Sequence, residues 1–405
     1  MTAQRLDPRV ATEPPRLAGI LRAYGRRLSQ GELGNWPVLL GLILIWTVLQ
    51  AANDRFLSPV NLTNLMLQIA ATGTIAIGVV VVLLIGEIDL SVAQVSGLSA
   101  AVMAVLSTVH TVPGPLAILA ALATGAAIGL FHGLWITRFR VPPFVVTLAG
   151  LLGWLGVQLS VLGRTGTVNL ADPAIIGLAG TFLSPVAGWL GAVVVIGAVG
   201  VVGVLSRRRR AAAGLQLPNA RVLVLRLTGV SAVVLAVIGV FNADRGFPLS
   251  VAIFLGLIIL FDLLTTRMRF GRHLRAVGGN PEAARRAGIA VDRIRILAFM
   301  LSSTMAAAGG VLGASRLLAV NQSSGGSDLL LNVIAAAVIG GTSLFGGRGS
   351  AWSALFGTLV IGSIANGMDL LAVSSNVKFM VTGAVLFVAA TTDAISRRGQ
   401  FTGRA

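Results

Sequence analysis

The sequence has no cysteine and very few of several other reactive side chains. Its 405 residues include one lysine, one tyrosine and three histidines (His110, His132 and His273), with 31 basic against 14 acidic residues. The absence of cysteine excludes disulfides, thiolate metal sites, iron–sulfur clusters and cysteine nucleophiles. Three histidines far apart in the chain do not make a histidine metal cluster. We predict no metal site and no cofactor in this chain.

Apolar residues are abundant instead. Hydrophobic residues make up 55% of the chain, charged residues only 11%, and the mean hydropathy is +0.89. Soluble domains carry about 25% charged residues, so this composition excludes a soluble enzyme, a disordered protein and a nucleic-acid-binding protein, despite the net charge of +17. We predict an all-α polytopic membrane protein with ten to twelve transmembrane helices. The apolar stretches lie at 36–52, 62–86, 90–109, 115–136, 142–162, 186–205, 222–241, 249–266, 294–313, 329–345, 351–371 and 377–395.

Basic residues set the predicted orientation. Cationic side chains stay on the cytoplasmic side of short loops, and with the N-terminus inside, 26 of the 31 basic residues lie there. This arrangement indicates topology and attraction to anionic lipid rather than binding of nucleic acid. We predict cytoplasmic tails at 1–35 and 396–405 around a transmembrane domain over 36–395. Its cytoplasmic loops include a basic loop at 206–221 and a larger loop at 267–293.

Two stretches of the chain look alike. Residues 72–105 and 330–362 each contain an apolar helix, a break of glycine and polar residues, and a second apolar helix. Corresponding breaks in two halves are typical of transporters built from repeats. We therefore predict broken or re-entrant helices in these two places, with chance similarity between apolar sequences as the alternative. Ser91 and Gln94 match a capping box that would begin the helix after the first break.

The loop at 267–293 contains the signals of a short helix. Asn280 is suited to cap the helix and Pro281 to its first position. Glu282 suits the positive end of the helix dipole, and Arg286 lies four residues further on, within reach of Glu282. Gly288 can adopt the left-handed conformation that ends a helix. A helix this short needs a packing partner, which is either its own membrane domain or a cytoplasmic protein.

The same loop resembles the coupling helix of ABC importer permeases, and the wider sequence resembles their ribose/xylose branch. The similarity covers about residues 36–398, and within the branch the permeases of D-xylose systems are the most similar, because they also carry an extra basic loop and span pair in mid-chain. Val92 is followed by Ala93 where the family usually has glycine. The matching segments are Phe270–Arg272, Ala276–Asn280, Glu282–Arg285, Ala314–Leu317, Ala335–Leu344, Glu87–Ser91 and Val141–Gly150.

This resemblance implies a function and a set of partners. The chain would be the permease of an ATP-driven importer for a monosaccharide, with D-xylose first and a ribose-type sugar as the alternative. It would lie in a bacterial cell membrane, pair with a second permease copy, and work with an extracytoplasmic sugar-binding protein and a cytoplasmic ATPase that binds the ATP. The residues implied in ATPase coupling are Gly278, Gly279, Asn280, Pro281, Glu282, Ala283, Ala284, Arg286 and Gly288.

The chain cannot be the motor itself. ATPases hold nucleotide phosphates in a glycine-rich loop that ends in lysine and serine or threonine, and the single lysine, Lys378, has no such glycines before it. Ion-coupled transport is the rival class, but Glu87 and Asp89 are two carboxylates without a basic partner and would make a poor relay, so helix capping by Asp89 or Ser91 is favoured. An intramembrane enzyme would need a nucleophile and a base, and no such cluster is apparent. Candidate residues of the translocation path are Gln68, Thr72, Glu87, Asp89, Ser91, Asn332, Thr342, Ser343 and Asn366.

Overall fold

The computed structural model describes residues 36–215 and 220–402. The predicted tail at 1–35 therefore lies outside the described residues, as do positions 216–219 of the basic loop and positions 403–405 of the C-terminal tail.

The described residues form fifteen α-helices, one 3-10 turn and four short strands. The helices are α1 (Trp36–Ala52), α2 (Pro59–Leu84), α3 (Val92–Thr108), α4 (Gly114–Phe139), α5 (Pro143–Leu162), α6 (Pro173–Gly180), α7 (Pro185–Ala212), α8 (Ala220–Asn242), α9 (Leu249–Thr266), α10 (Arg269–Gly279), α11 (Pro281–Arg286), α12 (Val291–Leu317), α13 (Ser327–Ile339), α14 (Trp352–Leu370) and α15 (Ser375–Thr402). The strands are β1 (Thr167–Asn169), β2 (Phe182–Leu183), β3 (Phe247–Pro248) and β4 (Ala319–Asn321).

Each of the twelve predicted apolar stretches coincides with one helix, so the all-α prediction is confirmed. Within the described residues, eight helices are long and apolar enough to cross a membrane, namely α2, α4, α5, α7, α8, α9, α12 and α14. The helices α1, α3, α13 and α15 carry shorter apolar segments. The C-terminal boundary shifts, because α15 continues to Thr402 and therefore runs through most of the predicted tail.

The two predicted breaks are present. The first break (residues 85–91) separates α2 from α3, and the second break (residues 340–351) separates α13 from α14. The helices α3 and α13 have 17 and 13 residues, which makes them about 26 and about 20 Å long. Both are shorter than a hydrocarbon core of about 30 Å.

The chain divides into two compact units, and the smaller one contains the described residues between Phe182 and Phe247. In this unit α7 packs against α8, and Gly203 faces the Leu223 side chain. The prediction of a loop at Arg207–Arg210 is wrong, because these arginines continue α7 up to Ala212. Arginine has a good helix propensity, and positive charge is favourable at a helix C-terminus.

The larger unit is built around α2, which is almost entirely buried by its neighbours. The helices α9, α12, α13 and α14 pack on it, and α4 packs on α12. Gly125, Gly129 and Gly133 of α4 face the backbone of α12, where a Cβ on Gly129 would overlap the Phe299 carbonyl oxygen. Small residues allow this close approach of helices in lipid, where no hydrophobic drive brings them together.

The segment between α12 and α13 is held by strand pairing and by side-chain hydrogen bonds. The strand β1 pairs antiparallel with β4, with Val168 opposite Val320. Gln158 Nε2 donates to the carbonyl oxygens of Asn321 (3.2 Å) and Ser324 (2.8 Å). These contacts fix the segment that connects α12 to α13.

Candidate functional site

Three segments that are far apart in the sequence meet at one place in the larger unit, which we call the junction. They are the first break, the second break and the segment of α10 and α11 within the predicted 267–293 loop. Gly347 N of the second break donates to the carbonyl oxygen of Leu84, at the end of α2, over 3.0 Å. The sequence predicted each segment separately, but only the folded chain brings them together.

Glycine makes this close approach possible. A Cβ on Gly278 would overlap the Leu84 carbonyl oxygen and lie 2.7 Å from Gly347 N. A Cβ on Gly346 would lie 2.6 Å from the Gly278 carbonyl oxygen and 2.8 Å from the Gly86 Cα. Gly86 and Gly346 also have φ angles of +77° and +86°, which favour glycine. The backbones of all three segments are therefore in direct contact.

Two arginines join the loop to the breaks by polar contacts. Arg295, near the start of α12, forms an ion pair with Glu87 of the first break, with Nε 2.6 Å from Oε1. Arg275 of α10 donates to the Thr265 carbonyl oxygen over 2.7 Å and to the Gly349 carbonyl oxygen of the second break over 3.4 Å. The inference that Glu87 has no basic partner is therefore wrong. Its partner lies more than two hundred positions away in the sequence.

The predicted loop helix is confirmed as α11, over the six residues Pro281–Arg286. The Asn280 side chain accepts a hydrogen bond from Ala283 N (2.9 Å), and Gly288 has φ +81°. Residues three and four positions further on are both within reach of Glu282 on a helix. Glu282 pairs with the nearer one, Arg285, at 2.7 Å, and not with Arg286 as predicted. Ala284 is buried, whereas Glu282, Ala283, Arg285 and Arg286 are exposed and form an accessible face.

The helix α10, which precedes α11, was missed by the sequence reasoning. It includes the predicted coupling residues Gly278 and Gly279 at its C-terminal end. Its buried residues Gly271, Leu274 and Val277 lie on one face with helical spacing. That periodicity is the signal that could have revealed the helix.

The polar residues of the first break make local contacts. Asp89 Oδ1 accepts hydrogen bonds from Ser91 N (2.9 Å) and from the Ser91 hydroxyl (2.6 Å). The predicted Ser91–Gln94 capping box is wrong, since the Ser91 hydroxyl donates to Asp89 and makes no bond to the free N–H groups of α3. Ala93, at the position where glycine is usual, is buried, and its carbonyl oxygen lies against Gly325.

The remaining candidate path residues lie in three different settings. Gln68 and Thr72 are half-buried on one face of α2, and Asn332 is half-buried on α13. Asn366 forms a reciprocal amide pair with Asn61, at 2.9 and 3.0 Å, which joins α14 to α2. Thr342 and Ser343 are buried within the second break. Their roles in a translocation path stay predictions.

His132 has a packing role. Its Nε2 accepts a hydrogen bond from Trp154 Nε1 (3.0 Å), so α4 and α5 are joined there. Among the described residues, no three histidine or acidic side chains are placed to hold a metal ion.

Replacing Asp89 by asparagine is expected to leave transport within about twofold of the wild type. Asparagine keeps the Oδ1 acceptor for both hydrogen bonds from Ser91, and asparagine and aspartate are nearly equivalent in such local turns. Uptake by the purified variant in vesicles measures this. Asp89→Leu is the matched control that loses the acceptor. A correctly folded Asp89→Asn variant without transport would show that the charge itself is needed.

Comparisons with known proteins show which family the chain belongs to. Residues 61–390 match the family described as branched-chain amino acid transport system / permease component. The xylose transport system permease protein XylH of Escherichia coli (strain K12) is 36% identical over 366 residues, which are 89% of this chain and 90% of that protein. XylH of Haemophilus influenzae is 34% identical over 92% of this chain and 99% of its own length. The ribose import permease protein RbsC of Bacillus subtilis is 32% identical over 87% of this chain and 91% of its own. No solved structure matches the chain.

Proposed function

Because the chain belongs to the family of branched-chain amino acid transport system permease components, we propose that it is the membrane permease of an ATP-driven importer for a monosaccharide, with D-xylose as the first substrate to test. Relatives named as xylose permeases, at 34–36% identity over about nine tenths of the chain, support this choice. The relatives named as ribose permeases support ribose as the alternative sugar. Family membership agrees with the prediction that the chain is a transport subunit and not an enzyme.

The junction is the observation that carries the proposed mechanism. The helix α11 presents four exposed side chains, while α10 beside it contacts both helix breaks. A partner docked on α11 would therefore act on both breaks through short, direct contacts. The proposed coupling residues are Gly278, Gly279, Asn280, Pro281, Glu282, Ala283, Ala284, Arg286 and Gly288.

The orientation follows from the arginines. The junction lies where the chain carries Arg267–Arg295, and basic loops remain on the cytoplasmic side of bacterial inner membranes. We place the junction and both termini in the cytoplasm. The motor would then be a cytoplasmic ATPase, since this chain has no phosphate-binding loop of its own.

The other partners follow from this orientation. A sugar-loaded binding protein would dock at the opposite end, near β1 and β4, and a second copy of the permease would complete the path within the lipid bilayer. The half-buried polar residues Gln68, Thr72 and Asn332 are the proposed path residues that could meet sugar hydroxyls. The proposed path also includes the break residues Glu87, Asp89, Ser91, Thr342 and Ser343, and Asn366.

Sugar uptake into vesicles tests the function. The permease, its ATPase and its binding protein are reconstituted, and uptake of labelled D-xylose is measured with ATP, with excess ribose as competitor. Uptake that requires the permease and ATP and resists ribose would support the xylose assignment. ATP-dependent uptake of ribose instead would change the assigned sugar to ribose, but the chain would still be the permease of an ATP-driven sugar importer. Uptake that persists without the ATPase and collapses with the proton gradient would overturn the ABC proposal.

Replacing Glu282 by arginine is expected to reduce sugar uptake per ATP hydrolysed by about tenfold, which corresponds to about 1.4 kcal/mol of lost coupling. Glu282 is exposed at the positive end of α11, so the change alters the docking face without disturbing the core. Uptake and ATP hydrolysis are measured together in vesicles.

The control for this variant is Glu282→Gln, which removes the charge but keeps the shape and is expected to lose less coupling. Equal protein yield and equal thermal stability of both variants would exclude misfolding as the cause. Normal coupled uptake by Glu282→Arg would contradict the assignment of α11 as the docking helix.

A further inference from the structure

The two arginines of the junction lie on opposite sides of α11 in the sequence, and each contacts a different break. Arg275 lies on α10, before α11, and reaches the Gly349 carbonyl oxygen of the second break. Arg295 lies on α12, after α11, and pairs with Glu87 of the first break. The helices on the two sides of α11 are therefore each connected by one charged side chain to one of the two breaks.

The connection to the first break is the stronger of the two. The Glu87 side chain is only 8% exposed and that of Arg295 27% exposed, so water screens this pair weakly. Both carboxylate oxygens of Glu87 and Arg295 Nε are buried, and none of the three atoms has a hydrogen-bond partner among the described residues, so the contact between the two side chains is an ion pair. Removing one partner of a buried pair leaves an uncompensated charge, which is strongly unfavourable. Any movement that separates Arg295 from Glu87 is therefore resisted, and the two groups should move together.

The two residues of this pair lie in different kinds of backbone: Arg295 lies in a helix and Glu87 in a non-helical segment. Arg295 lies in the first two turns of α12, and only the residues 287–290 separate α12 from α11. Because this connection is short, a displacement of α11 moves the start of α12 by a similar distance. Glu87, in contrast, belongs to a segment between two helices that follows the left-handed Gly86. Such a segment can change its dihedral angles without disrupting a helix.

We propose that the Glu87–Arg295 ion pair transmits the movement of the docking helix to the first break, with Arg275 making the corresponding contact to the second break. Displacement of α11 by the motor would pull Glu87 through Arg295 and change the angle between α2 and α3. Glu87 and Arg295 act here as positioning residues, and this role is separate from the place of Glu87 in the proposed path. The proposal rests on the proposed function as an ATP-driven permease.

The test compares variants of this pair in vesicles that contain the complete transporter. The variants are Glu87→Gln, Arg295→Gln, the neutral double variant Glu87→Gln with Arg295→Met, and the reversed pair Glu87→Arg with Arg295→Glu. We expect each single variant and the neutral double variant to lose about tenfold in D-xylose uptake per ATP hydrolysed. The reversed pair should recover to within about threefold of the wild type, because it restores the attraction.

Matched controls separate coupling from folding. Asp369→Asn breaks the exposed ion pair between Asp369 and Lys378, which lies away from the junction. This variant should leave the ratio of D-xylose uptake to ATP hydrolysis unchanged. Arg275→Gln should also lower the ratio, but less, because its bond to Gly349 is long. Thermal stability is measured for every variant. The neutral double variant leaves no unpaired buried charge, so it should remain folded even if the single variants do not.

The outcomes are distinct. A folded neutral double variant with normal uptake per ATP would overturn the proposal and leave the pair a purely structural role. A folded reversed pair that transports no better than the single variants would also overturn it. Loss in the neutral double variant with recovery in the reversed pair would support it. Failure of the wild-type complex to take up any sugar with ATP would instead count against the proposed function.

Discussion

Replacing Gly278 by valine is expected to abolish transport, with uptake reduced by about a hundredfold, equivalent to about 2.7 kcal/mol. A Cβ at this position would overlap the Leu84 carbonyl oxygen and crowd Gly347 N. Both neighbours are backbone atoms, so neither can move aside as a flexible side chain could. The three segments of the junction would have to separate, and a force on α11 would no longer reach the breaks. Uptake in vesicles measures the loss.

A glycine outside the junction provides a matched control for this variant. A Cβ on Gly153 of α5 would have no atom within 4 Å, so Gly153→Val should keep most of the transport activity. Membrane insertion and ATPase binding are measured for both variants, to show that Gly278→Val assembles. Uptake by Gly278→Val equal to that by Gly153→Val would show that the close contact of the segments is not needed for transport.

Replacing Gly357 by valine is expected to destabilise the larger unit by about 1–3 kcal/mol or more, the usual cost of overfilling a packed site. A Cβ on Gly357 of α14 would overlap the Ala336 carbonyl oxygen of α13. These two helices flank the second break. A Cβ on Gly340, at the end of α13, would likewise overlap the Ser353 carbonyl oxygen of α14. We expect the melting temperature of the purified protein to fall by about 5 °C or more.

The control for this stability prediction is Gly256→Val on α9, where a Cβ would have no atom within 4 Å. This variant should keep the wild-type melting temperature within about 1–2 °C, because surface changes are usually within about 0.5 kcal/mol. Equal melting temperatures for Gly357→Val and the wild type would contradict the close packing of α13 on α14.

Local signals were sufficient to predict α11. Asn280, Pro281 and Gly288 act through their own backbone and the next few residues, so their effect can be deduced without the rest of the fold. The same holds for the twelve apolar stretches, since a span needs only a run of apolar residues. The prediction of a loop at Arg207–Arg210 was wrong because the apolar stretch ends at position 205, whereas the helix continues to Ala212, since arginine readily continues a helix.

The candidate site was only partly predictable. The coupling residues could be proposed from the resemblance, and the breaks from their glycines and polar residues. The contact of Gly278 with Leu84 and Gly347, however, joins three distant parts of the chain. The pair formed by Glu87 and Arg295 is of the same kind, and the local sequence around Glu87 indicated the opposite, a carboxylate without a partner.

The sequence by itself determined that this chain is a polytopic helical membrane protein, which of its segments are apolar, where two helices break and where the short helix α11 begins and ends. These properties depend on composition and on interactions within a few residues. Only the tertiary structure decided that both breaks and the segment of α10 and α11 meet at one junction, and that Arg275 and Arg295 each reach one break. The physical reason is that backbone contacts through glycine and buried ion pairs form between residues far apart in the chain, and helix packing selects which of them come together.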